Sequence, residues 1–174
     1  MSHSRFTPRQ LALAGVIAAL YAVMAYFSAI FGVAYGPVQC RFSEALCVLP
    51  FLFPEAVPGL FIGCLAANLL SPYGVLDIVF GSLATLLAAL WTRRVSHKWL
   101  APLPPVICNA VIVGALLAFY ETGFTGAFAA VFAYNALTVG LGEAVACYVL
   151  GGVLLHLLPQ IRPLKRFLSP RSAL

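Results

Sequence analysis

Long apolar runs separated by short basic segments leave this chain one medium to fold in, a lipid bilayer. A helix needs about 20 mostly apolar residues to cross the hydrocarbon core, at about 1.5 Å per residue. The first such run spans Gln10 to Phe31. Others span Val75 to Trp91, Leu103 to Tyr120, and Phe124 to Leu158, the last long enough for a tilted helix with an extension. Of 174 residues, 63% are hydrophobic and 9% charged, whereas an average soluble domain carries about 25% charged residues. So few charges cannot coat a water-facing surface. The length fits one domain, residues 1–174, with 1–9 and 160–174 expected as cytoplasmic tails.

The stretch Ala45 to Leu70 is interrupted by PEAVPG (Pro54 to Gly59), so it is either one helix or two short ones. Charge placement separates the two readings. With two helices the chain crosses six times. Arg5, Arg9, Arg93, Arg94, Lys98, Arg162, Lys165, Arg166 and Arg171 then share one side, nine of the 10 Lys and Arg, leaving Arg41 opposite. With one helix, Arg5 and Arg9 would oppose the later clusters, against the positive-inside rule. The sequence therefore predicts an all-α membrane protein with six transmembrane helices, the second and third short, and both termini cytoplasmic. Proline ends those short helices because it removes a ladder hydrogen bond.

The net charge of +5 does not signal nucleic acid, because the basic residues sit only between apolar runs. Five cysteines lack any CxxC pairing, so neither a metal site nor a disulfide framework is expected. The first apolar run is too long for a cleavable signal peptide. No P-loop, HExxH or GxSxG motif occurs, and His3, His97 and His156 fall near cytoplasmic segments. The chain reads as a non-enzyme without a cofactor, dependent on a partner or an ion gradient for any uphill transport.

On this topology Gln39, Arg41, Glu44, Asn68, Asp77, Glu121 and Asn135 lie toward the outer face, a layout that suits a solute pocket open to the outside. Glu143 lies deep in the last helix, within VGLGEAVACY. A carboxylate there is costly unless it meets a partner or a wet cavity, which makes it a functional candidate. Its alternative is a Glu satisfied by an internal Arg or Asn, with Arg41 the natural partner. Glu44 and Asp77 could instead complement helix N-termini, with Ser43 a cap for the second helix. Asn68 could join two helices. Gln39 and Arg41 could be plain loop residues, and Glu55 reads as interfacial. In the first helix Ala14, Ala18 and Ala22, with Gly15 and Ala19 beside them, form a stripe that allows close helix approach. Its partner is either a helix of the same chain or another protein.

Two segments carry a family resemblance: VQCRFSEALCVLPFLFPEAVPGLFIGCLAANLL (Val38 to Leu70), with GVLDIVFGSLATLLAAL after it, and VGLGEAVACYVLGG (Val139 to Gly152). They resemble the QueT family of queuosine-precursor transporters. The matching positions are Gln39, Arg41, Ser43 and Glu44 in Q-x-R-x-S-E, then Asn68, Asp77, Gly81 and Ser82, then Gly142 and Glu143 in G-E-A. The resemblance implies a six-helix S component of an energy-coupling-factor transporter in a prokaryotic cell membrane. Such a component works with a transmembrane coupling subunit and two ATPase subunits, which use the ATP. Ala14, Ala18 and Ala22 then look like a docking surface for the coupling subunit. The implied solute is a 7-deazaguanine, either the aminomethyl precursor or queuine. Glu44, Asp77 and Glu143 are candidates to read its N–H edge or cationic arm. Gln39 and Asn68 can meet its carbonyl, and Tyr73 or Tyr134 can stack on it. Alternatives are an S component for another small vitamin or nucleobase, or a small membrane protein outside transport.

Overall fold

A computed structural model describes residues 7–32, 34 and 41–168. Among the described residues the regular structure is entirely helical. Helix α1 is Pro8–Ile30. A 3-10 segment, Phe42–Phe51, follows. Then come α2, Ala56–Asn68, and α3, Gly74–Thr92. Helix α4 is Leu103–Thr122. Helix α5, Phe128–Ala144, runs through a π segment, Val145–Leu150, into α6, Gly151–Leu157. Counting α5 to α6 as one body, six helical bodies succeed one another. Four are long and apolar enough to cross a membrane, and two are shorter. This is an all-α membrane protein, and its outer surface is accordingly apolar: Val16, Ile62, Val75, Val111, Leu137 and Val149 are all more than half exposed.

The division of Ala45–Leu70 into two short helices holds, with Pro54 in the turn between them. The first of the pair is a 3-10 helix rather than an α-helix. That winding rises about 2.0 Å per residue, so ten residues reach about 20 Å, as far as the thirteen of α2 at about 1.5 Å. Every residue from Ser43 to Phe51 is buried. Leu46, Cys47, Val48 and Leu49 are the centre of the main core, against Ile17 and Tyr21 of α1, Leu60 and Cys64 of α2, and Cys147 of the π segment. A segment apolar on every side has no exposed face to offer, and here the other helices surround it.

The small residues of α1 find their partner inside the chain. A Cβ added to Gly59 would lie 2.7 Å from the Ala14 carbonyl, and one added to Gly63 would lie 2.7 Å from the Ala18 carbonyl. The backbone of α1 at Ala14 and Ala18 thus lies against α2, with Ala14 buried and Ala18 half-buried. Packing of small against small is how helices approach closely where lipid competes for every apolar surface. Ala22 is half-buried, while Gly15 and Ala19 face outward.

At the other end of α1, Thr7 and Gln10 form a capping box. The Thr7 amide donates to Gln10 Oε1 at 2.9 Å, and Gln10 Nε2 donates to Glu55 Oε1 at 2.5 Å. Glu55 is 3% exposed, so it is a buried carboxylate of the bundle base and not the interfacial group its sequence position implied. The C-terminal stretch also departs from a free tail. After α6 the chain makes 3-10 turns at Leu158–Gln160 and Arg162–Phe167. Leu164, Phe167 and Leu168 pack on the main core.

The α1–α2 contact predicts an asymmetric response to substitution. Gly63→Leu drives a side chain into a backbone carbonyl that cannot yield, a cost of about 1–3 kcal/mol, and should lower the melting temperature in detergent. Gly15→Leu, with nothing within 4 Å of the added Cβ, should leave it unchanged. Equal melting of both variants would refute the close approach.

Candidate functional site

The polar residues of the bundle interior converge where the N-terminal half of the 3-10 segment meets α4 and α5. Arg41 and Glu44 come from the 3-10 segment and its N-terminal flank. Asn109 and Val113 come from α4, and Val139 and Glu143 from α5; together these six line one cavity. Spacing by four residues puts Asn109 with Val113, and Asn135 with Val139 and Glu143, on single helix faces. Asn135, Val139 and Glu143 are all buried.

Each carboxylate is held from a different side. Tyr21 of α1 donates its hydroxyl to Glu44 Oε1 at 2.5 Å, and the Cys47 thiol lies 3.0 Å from Glu44 Oε2. Asn109 Nδ2 donates to Glu143 Oε1 at 2.7 Å. Cys147, one turn after Glu143, reaches both Glu143 Oε1 at 3.7 Å and the Glu44 carbonyl at 3.3 Å. The π segment helps here. Four-residue steps overshoot a 3.6-residue turn, and the wider π turn reduces the drift. Glu143, Cys147 and Gly151 thus stay on one face, where a Cβ on Gly151 would meet Val48 at 2.9 Å.

Glu44 and Glu143, 3% and 4% exposed, face the same cavity of about 20 Å³. Two ionised carboxylates so placed repel. The arrangement favours a cation, or a group rich in N–H donors, between them. Arg41 supplies positive charge to the same cavity and also reaches outward. Its Nη2 is 3.9 Å from Asp77 Oδ2, and its Nη1 is 3.5 Å from Asn68 Oδ1. Ser71 Oγ donates to Asp77 Oδ2 at 2.5 Å, and Asn68 Nδ2 donates to the Asp77 carbonyl at 3.1 Å. Arg41 is therefore the hinge between a Glu44–Glu143 pair and an Asp77–Asn68 pair.

The cavity measures about 20 Å³, room for about one water. Pockets for small molecules run to about 300–1,000 Å³. The cluster is closed in this conformation, and a bicyclic base can occupy it only if the surrounding bodies part.

Of the residues singled out from sequence, the structure gathers Arg41, Glu44, Asn68, Asp77 and Glu143. Glu44 and Asp77 both stand in the first turn of their helices, where a negative charge complements the N-terminal dipole, although the cap positions are Arg41 and Tyr73. Ser43 is not the cap of its segment either; the cap position is Arg41. Asn135 sits one turn along α5 from the cavity and donates to Glu121 Oε1 at 3.0 Å. Tyr134 is 59% exposed, on the outer surface of α5 and away from the cavity, so it does not join the cluster. Tyr73 makes a tilted ring contact with Tyr120 at 5.6 Å instead. Gln39 lies outside the described residues. Sequence reading passed over Asn109 and Tyr21. Asn109 carried a usable signal, an amide within the apolar run PVICNAVIV. Tyr21 carried none, because tyrosine is common in membrane helices.

The family model described as QueT transporter matches residues 11–160. A curated relative, Queuosine precursor transporter QueT of Lactococcus lactis subsp. cremoris (strain MG1363), is 34% identical over 71 residues. That alignment covers 41% of this chain and 41% of the relative, so it spans less than half the relative's length. No solved structure matches the chain. The family match takes in every helical body that lines the cavity, with Arg41, Glu44, Asn109 and Glu143 inside it. The chain therefore belongs to the QueT transporter family.

Proposed function

We propose that this chain is the substrate-binding S component of an energy-coupling-factor importer, and that it captures a queuosine precursor of the 7-deazaguanine class. The observation that carries the reading is the pairing of Glu44 with Glu143 across one buried cavity, in a bundle whose exterior is apolar. Buried carboxylates are retained at such a position when they meet a complementary ligand. A guanine-like edge presents adjacent N–H donors that a carboxylate accepts side by side. The aminomethyl arm of the precursor carries a cation that suits a second carboxylate. Arg41 and Asn109 can meet the ring carbonyl and the remaining donors. The relative's name supports the solute class.

In this reading the chain crosses a prokaryotic cell membrane six times with both ends cytoplasmic. The basic residues Arg93, Arg94, Lys98, Arg162, Lys165 and Arg166 then lie at the cytoplasmic end. The 3-10 segment and α2, each about 20 Å long, cross as a pair of short spans with Pro54 at their junction. A transmembrane coupling subunit and two ATPase subunits supply the energy, and the ATP is theirs. In this reading the coupling subunit docks on the small-residue side of α1 that α2 leaves open, Gly15 and Ala19 with half-buried Ala18 and Ala22 at its edge.

Two measurements test this. Calorimetry on the purified chain should show binding of the aminomethyl precursor or queuine, with guanine weaker. Glu143→Gln should weaken that binding by about ten-fold or more, the value of a charge-assisted hydrogen bond. Unchanged affinity would remove Glu143 from the site. Separately, Ala19→Trp should leave solute binding intact while abolishing uptake in cells that also carry the coupling subunit and ATPases. Uptake at the wild-type rate would show that the coupling subunit docks elsewhere.

A further inference from the structure

The other end of the bundle holds a second cavity that the transport site does not use. It measures about 480 Å³ and lies between the short 3-10 turn Lys98–Leu100 and the π segment with α6. Its polar end is formed by Lys98 and His156, and no acidic residue lines it. Its wall continues along the last helix over Gly152, Val153 and Tyr148. From His156 back to Tyr148 is eight residues, about 12 Å of helix, so the cavity is a groove parallel to the helix axis. A Cβ added at Gly152 would touch nothing within 4 Å, so this glycine leaves the groove floor open. Trp99 is 75% exposed at the mouth, and Lys98 Nζ sits 5.9 Å from the centre of its ring. Indole rings of this kind settle at the headgroup level of a membrane.

We propose that this groove binds an anionic phospholipid, with the phosphate held by Lys98 and His156 and one acyl chain laid along Gly152 and Val153. A basic end favours a phosphate, and basic pockets between helices on the cytoplasmic side suit anionic headgroups. The apolar wall below it separates a lipid from a free phosphate, which would have no use for 12 Å of hydrocarbon contact. Arg93 and Arg94, five and four residues before Lys98 in the chain, add positive charge to the same end of the bundle. The inference rests on the membrane location of the chain and is independent of the solute proposed for the outer cavity.

Native mass spectrometry on the delipidated full chain, titrated with phosphatidylglycerol, phosphatidylcholine or glycerol 3-phosphate, tests it. Phosphatidylglycerol should be retained about five-fold better than phosphatidylcholine, the value of one basic residue near an anionic headgroup. Lys98 is exposed, so Lys98→Gln should keep the fold and erase that preference. Gly152→Leu should block both lipids, with an unchanged thermal melt confirming that the chain is folded. Equal retention of the two lipids by the wild type, a preference that survives Lys98→Gln, or displacement by glycerol 3-phosphate alone would each overturn the proposal. The last outcome would point to a simple phosphate site.

Discussion

A buried ten-residue 3-10 segment organises this protein. From Ser43 to Phe51 every residue is buried, and the segment brings Arg41 and Glu44 into a bundle that lipid otherwise surrounds. Backbone groups at that depth must be satisfied within the protein, so the segment keeps an internally bonded winding even though it is too short to span as an α-helix. Its neighbours are shaped to receive it. Tyr21 reaches across from α1 to Glu44. Gly151 leaves no side chain between α6 and the segment, where a Cβ would meet Val48 at 2.9 Å. The π turn keeps Cys147 against the Glu44 carbonyl.

The electrostatic character of the interior follows from that placement. Three carboxylates, Glu44, Asp77 and Glu143, and one guanidinium, Arg41, are brought together away from water. Opposite charges in such a setting need good geometry to repay their desolvation. Arg41 stands 3.9 Å from Asp77, a loose contact, and it is shared with the Glu44–Glu143 cavity. A cluster with more negative than positive side chains and one widely shared cation is poised to take a further donor or cation, which is what a solute-capturing pocket requires. The closed cavity is small, so under the proposed function the bundle must rearrange before the cluster can take a solute.

Much of this was legible from sequence because membrane constraints are strong. Long apolar runs gave α1, α3, α4 and the last helix to within a few residues, and Pro54 marked the break between the short pair. Arg41, Glu44, Asn68, Asp77 and Glu143 stood out because a polar residue in an apolar run has few reasons to be there. What sequence could not supply was partnership. The Ala14–Ala18 stripe reads identically whether it meets α2 or another subunit, and the deciding residues, Gly59 and Gly63, lie some 45 positions away. Glu55, between Pro54 and Pro58, reads as interfacial, yet it is buried and bonded to Gln10. The 3-10 winding of the second body left no signature in its composition, since it depends on how far ten residues must reach. Tyr134 is a further case: one face of α5 is polar and inward, and the adjacent position points to lipid.

Gln10 performs two tasks with two different atoms. Its Oε1 accepts from the Thr7 amide and hydroxyl at the start of α1, while its Nε2 donates to the buried Glu55. Capping boxes accept glutamate and glutamine alike, but here the two are not interchangeable. A glutamate would still close the first turn of α1, yet it would set a second carboxylate against Glu55 with no N–H between them. The amide lets one side chain join the beginning of the first helix to the floor of the bundle, so the fraying of a helix end, ordinarily a local affair, becomes tied to the integrity of the whole base.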